Sequence, residues 1–99
     1  MNLEPVDLSE KAIVEVKNIM QTKGIPEDYG LRIGIKGGGC GAIGFMLGFD
    51  RQNDEDIAYL KRDIPIYVDK KHVMYLLGVE VDFYDESDER GFVFNKPGD

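Results

Sequence analysis

The sequence predicts a β-rich fold, mainly strands with two helices, in a mixed or mainly antiparallel sheet arrangement and not a doubly wound α/β one. Three observations carry this. Short alternating or apolar runs outnumber the helical patterns, the stretches between them are brief and polar, and strands do not alternate regularly with helices as βαβ units would require. The 99 residues lie near the common size of one domain, so residues 1–99 are expected to form a single unit. A hydrophobic content of 42% suffices for a core and argues against disorder.

Asp7 to Lys23 has Leu8, Ala12, Ile13, Val16, Ile19 and Met20 at helical spacing, with Glu10, Lys11, Lys17 and Asn18 on the other face. Asp7 and Glu10 fit a capping box, and Gly24 followed by Pro26 supplies the stop. Leu31 to Lys36 alternates as a strand does, and Ile43 to Phe49 reads as a buried strand in which Gly48 marks a bulge. Arg51 to Asp56 reads as a polar turn and Ile57 to Leu60 as a short strand. Ile64 to Val68 is a further strand, which Pro65 confines to a sheet edge or to the strand's first residues. Asp69 is placed to cap a short helix through Leu77, with Gly78 just past its end. Val79, Val81 and Phe83 alternate with Glu80, Asp82 and Tyr84 as a half-buried strand, Asp85 to Arg90 reads as a charged turn, and Phe92-Val93-Phe94 is the last strand.

The net charge of −7 argues against nucleic acid and against anionic membrane as partners, because both require a basic patch. Lys70-Lys71 is the densest basic cluster. No apolar run approaches the roughly 20 residues of a membrane span. Met1-Asn2-Leu3-Glu4-Pro5 lacks the features of a signal peptide, and a single cysteine forms no internal disulfide, so a reducing cytoplasm is the expected compartment.

That cysteine is Cys40, set in Gly37-Gly38-Gly39-Cys40-Gly41. Neighbours without side chains leave a sulfur uncovered and among exposed backbone N–H groups, which favour thiolate. Gly39 to Gly44 also matches G-x-G-x-x-G, but a dinucleotide site needs a helix after the glycines, and Phe45 to Phe49 reads as a strand. Cys40 then has three readings. It is a small buried hydrophobe. It is a nucleophile with His72, the only histidine, as base, although His72 by itself reads as a solvated surface residue. Or it is a soft ligand for iron–sulfur or another metal, in which case one thiolate per chain calls for an oligomer or a heterocomplex to complete the site.

Taken in order, these segments resemble the A-type iron–sulfur carrier family, also called HesB-like. The opening helix fits, as do Leu31-Arg32-Ile33-Gly34-Ile35 leading into Gly39-Cys40-Gly41, and Ile66-Tyr67-Val68-Asp69 followed by the short helix and Gly78. Val81-Asp82-Phe83 and Gly91 to Pro97 resemble the family's closing strands. The resemblance implies a compact domain of curved mixed sheets packed with two helices. It implies a non-enzymatic role, binding iron or an iron–sulfur cluster and passing it to an acceptor apoprotein or a cluster-assembly partner, by a homodimer or higher oligomer. Cys40 matches the family's first cysteine and is the expected metal ligand. The family's usual Cys-x-Cys pair near the C-terminus has no counterpart here, so the sequence also fits a metal-free HesB-like interaction module. The acidic stretches Asn53-Asp54-Glu55-Asp56 and Asp85-Glu86-Ser87-Asp88-Glu89 read as solvated loops or as a face for a basic partner.

Overall fold

The structure, a computed structural model, describes residues 3–37 and 43–96. The order is β1 (Val6–Leu8), α1 (Glu10–Thr22), β2 (Tyr29–Gly37), β3 (Ile43–Arg51), β4 (Asp56–Lys61), β5 (Ile64–Asp69), a 3-10 turn (Lys70–His72), α2 (Val73–Leu76), β6 (Val79–Glu86) and β7 (Glu89–Asn95). Two sheets form, one of three strands ordered β1-β6-β7 and one of four ordered β3-β2-β5-β4. Both are mixed: β1–β6 and β2–β5 pair parallel, and the remaining pairs are antiparallel. The β-rich expectation with two helices holds.

The apolar alternation set out above builds the core. Leu31 and Ile33 from β2, Ile66 and Val68 from β5, and Val79 and Val81 from β6 are almost fully buried, with Ala12 and Val16 of α1 and Leu76 of α2 packed among them. Removing each such aliphatic side chain from water contributes about 1.5–3 kcal/mol, which is what holds sheets and helices together.

The structure corrects the start of the first helix. Asp7 lies in β1, paired with Glu80, and the helix begins at Glu10 with Ser9 as its N-cap. Ser9 Oγ accepts from the Ala12 N–H at 3.1 Å and donates to Asp82. Parallel pairing with β6 therefore claims Val6–Leu8 before any helix can form. Tyr59 fastens the strand from the other sheet: its hydroxyl accepts from the Val6 N–H at 3.0 Å and donates to the Val6 carbonyl at 2.7 Å. Burial pushes this phenol up to about 12.

Gly24 takes φ +63° past the end of α1, and Gly78 takes φ +81° after α2, as helix-ending glycines do. The Asp69 carboxylate accepts from the Lys71 N–H and caps the 3-10 turn. The expected helix through Leu77 is in fact this turn followed by one turn of α-helix. No bulge occurs at Gly48: the β2–β3 register runs unbroken from Tyr29–Arg51 to Gly37–Ile43. Pro65 does not force its strand to an edge. β5 is interior, and its pairing with β2 starts at Ile66, one residue beyond the missing N–H.

Candidate functional site

Residues 38–42, and with them Cys40, lie outside the described residues. The surrounding elements show where this segment attaches. It joins Gly37 to Ile43, the last pair of the β2–β3 register. Close to the same end of β3, Phe45 stacks on Phe94 of β7 with ring centroids 4.8 Å apart and planes 12° from parallel. Lys96 Nζ stands 5.5 Å from the Phe45 ring centroid. The last described residues of the chain therefore meet the strand that leads out of the cysteine segment. Phe45 and Lys96, more than fifty residues apart in sequence, thus converge there. No helix follows the glycines, since β3 begins at Ile43, and the dinucleotide reading has no support.

His72 is not the solvated residue expected. It is half-buried, and its Nδ1 accepts from the Ile35 N–H at 3.4 Å. The β2–β5 pairing covers only Leu31 and Arg32, so the rest of that edge of β2 needs another acceptor, and the imidazole supplies one at Ile35. Gly34 makes room: a Cβ there would stand 3.0 Å from His72 Nδ1. His72 is thus accounted for as a strut on β2.

The polar centre of the described residues is one that the sequence reading missed. Arg32 donates to both Asp56 carboxylate oxygens at 2.7 Å, to Asp50 Oδ2 at 2.9 Å and to the Arg51 carbonyl at 2.8 Å. Asp56 also accepts from the Asn53 N–H at 2.9 Å, and its side chain has no exposed surface. Asp56 is therefore a buried anchor, neither a solvated loop residue nor part of a partner-facing surface. The Arg32 bonds hold its carboxyl below the usual carboxylate range, against the opposing cost of burial, and raise Arg32 in turn. The signal was faint: an arginine inside a strand, with its partners eighteen and twenty-four residues away. In the second acidic stretch β6 and β7 run on to Glu86 and Glu89, and Asp85 pairs with Arg90 at 3.1 Å.

Arg32 and His72 line a cleft of about 260 Å³ with Met46, Asp50, Asp69 and Lys71. Because Arg32 is committed to Asp50, Asp56 and the Arg51 carbonyl, this cleft is a structural joint between the β2–β3 hairpin and the β5–α2 connection. Among the described residues no group of three or more His, Cys, Asp or Glu side chains can hold a metal ion. Cys40, the one cysteine of the sequence, lies outside those residues.

Two mixed sheets with a capped helix and a cysteine-bearing hairpin connection define a class of fold found in iron–sulfur assembly proteins. The structure of Escherichia coli SufA, involved in biosynthesis of iron–sulfur clusters, superposes with a TM-score of 0.81 at 22% identity, covering 100% of this chain and 86% of that one. IscA with the [2Fe-2S] cluster superposes at 0.73 and 22% identity, covering 93% of this chain and 82% of that one. The sequence profile of the iron–sulphur cluster biosynthesis family matches residues 5–98. The iron-binding protein IscA of Serratia proteamaculans is 34% identical over 93 residues, 93% of this chain and 85% of the relative. The IscA of Proteus mirabilis is 36% identical over the same span. The chain belongs to the iron–sulphur cluster biosynthesis family, and the HesB-like resemblance is correct. No described helix is long and apolar enough to cross a membrane.

Proposed function

We propose that this chain is a carrier of iron or an iron–sulfur cluster that delivers its cargo to apoproteins, with Cys40 as its thiolate ligand and without catalysing a reaction of its own. The single observation that carries the reading is the family match over residues 5–98, which spans a sequence whose one cysteine joins two paired strands. Donor chemistry supports a shared site. A [2Fe–2S] cluster takes four protein ligands, and one thiolate per chain supplies one of them. Two copies with their Cys40 residues near a two-fold axis supply two, leaving places for a small thiol or an acceptor's own cysteine. A ligand set completed in this way releases its cluster readily, which suits delivery. The cytoplasm, where thiols stay reduced, is the compartment in which such a protein works.

The test is anaerobic reconstitution with ferrous iron and sulfide, read by absorption, metal analysis and sedimentation. Cluster absorption with iron bound to a dimer or larger species, lost in Cys40→Ala, supports the reading. Metal content that is absent, or unchanged in Cys40→Ala, overturns it. Complete absence of metal would favour the alternative, a metal-free interaction module.

A further inference from the structure

The 3-10 turn and α2 carry a feature that neither the core nor the cysteine segment explains. Residues Lys70 to Leu77 contain no acidic side chain in a protein of net charge −7. Within this stretch Val73 is half-buried and Leu76 fully buried, so one turn of helix has spent its inward positions. The outward positions of a surface turn are ordinarily polar. Here they are Met74, Tyr75 and Leu77, exposed by 79%, 55% and 43%. Lys70 and Lys71, both exposed, stand two residues before them, across His72 and Val73. Clustered exposed methionine and aromatic side chains mark recognition surfaces, whereas scattered apolar residues do not.

The segment is also held in place at both ends. The Lys70 N–H donates to the Glu55 carbonyl at 2.9 Å, Asp69 caps the turn, and the Gly78 N–H donates to the Pro5 carbonyl at 2.9 Å. A partner therefore meets a surface that is already ordered and loses little entropy in fixing it. Asp69, 3.9 Å from Lys71 Nζ, offsets part of that lysine's charge, while Lys70 forms no ion pair among the described residues.

We infer that Met74, Tyr75 and Leu77, rimmed by Lys70 and Lys71, form a docking surface for a protein that presents an apolar anchor flanked by Asp and Glu side chains. Charge complementarity selects this occupant. Two lysines suit a local acidic rim on a protein, while a net charge of −7 repels an anionic bilayer as a whole. The inference extends the carrier reading by stating what kind of surface an acceptor would bring. Docking is measured on the metal-free chain, so its failure and the failure of cluster binding are distinguishable.

The experiment uses two synthetic helical peptides with the same leucine anchors, one with a glutamate rim and one with a lysine rim. Each is titrated into the isotopically labelled full chain and followed by amide chemical shifts. The expected result is binding of the glutamate peptide with shifts confined to residues 70–78. Affinity should weaken by about tenfold or more in Met74→Ser/Tyr75→Ser. Lys70→Glu/Lys71→Glu should reverse the preference toward the lysine peptide, and added salt should weaken binding. All four substituted side chains are exposed, so these variants keep the fold, and circular dichroism verifies it. Equal affinity for the two peptides, or shifts located around the Phe45–Phe94 stack, overturns the inference. So does binding to anionic vesicles without binding to the glutamate peptide. Loss of self-association in Lys70→Glu/Lys71→Glu also overturns it, by showing a contact between copies of this chain.

Discussion

Asp56 has no exposed side-chain surface, and Arg32 occupies both of its carboxylate oxygens. Losing this carboxylate leaves Arg32 with Asp50 as its one acidic partner, so Asp56→Asn is expected to cost about 2 kcal/mol in urea unfolding at pH 7. The sign of the pH dependence follows from the direction of the shift. The folded carboxyl lies below its unfolded value of about 3.9, so its stabilisation is full above that value and disappears as pH falls through the folded one. Stability of the parent chain measured from pH 5 down to pH 2 should therefore fall more steeply than that of Asp56→Asn. Gly34 offers a second test. Gly34→Ala should destabilise by about 1–3 kcal/mol because the new methyl meets His72. In His72→Ala the same substitution should cost markedly less, and equal costs would show that the imidazole is not what confines Gly34. The glycines beside Cys40 make it a candidate within five residues of sequence, whereas the role of Arg32 was not legible, because its partners stand at the far end of β3 and the start of β4.

Elements show the same division between near and far. Gly24, Asp69 and Gly78 were readable as stops and caps because each acts on backbone within a few residues. The start of α1 was not, because Asp7 and Ser9 are both capping residue types and only the pairing of Val6–Leu8 with Val79–Val81 decides between them. Ser9→Ala is expected to cost about 1 kcal/mol, the usual value of an N-cap, in thermal or urea unfolding. It also removes the hydroxyl that holds Asp82 below the usual carboxylate range, so the Asp82 carboxyl resonance should titrate at higher pH in the variant. Gly30 shows an element boundary set by contact: a Cβ there would lie 2.6 Å from the Pro65 carbonyl oxygen, so β2 and β5 approach only where this side chain is absent.

Over the whole molecule, strand existence was legible from alternation, but the partners of each strand were not, since period-two patterns carry no address. The two sheets meet along β3 and β7, where Phe45, Leu47, Phe49, Phe92 and Phe94 line a groove of about 390 Å³ above Leu31. The Phe45–Phe94 stack bridges it, and a double-mutant cycle of Phe45→Ala and Phe94→Ala should report a coupling of about 1 kcal/mol. Additive losses would show that the two sheets close independently of this contact. β1 carries a consequence for how the protein is made. Its ladder partners, Val79 to Val81, are more than seventy residues downstream. During synthesis the strand emerges before β6 and must wait with its edge unpaired until β6 has left the ribosome, while the strands of the β2–β3 and β4–β5 hairpins meet their partners within a few residues. β1 is thus made long before the strand that secures it, and its edge stays open to other partners until β6 has been translated.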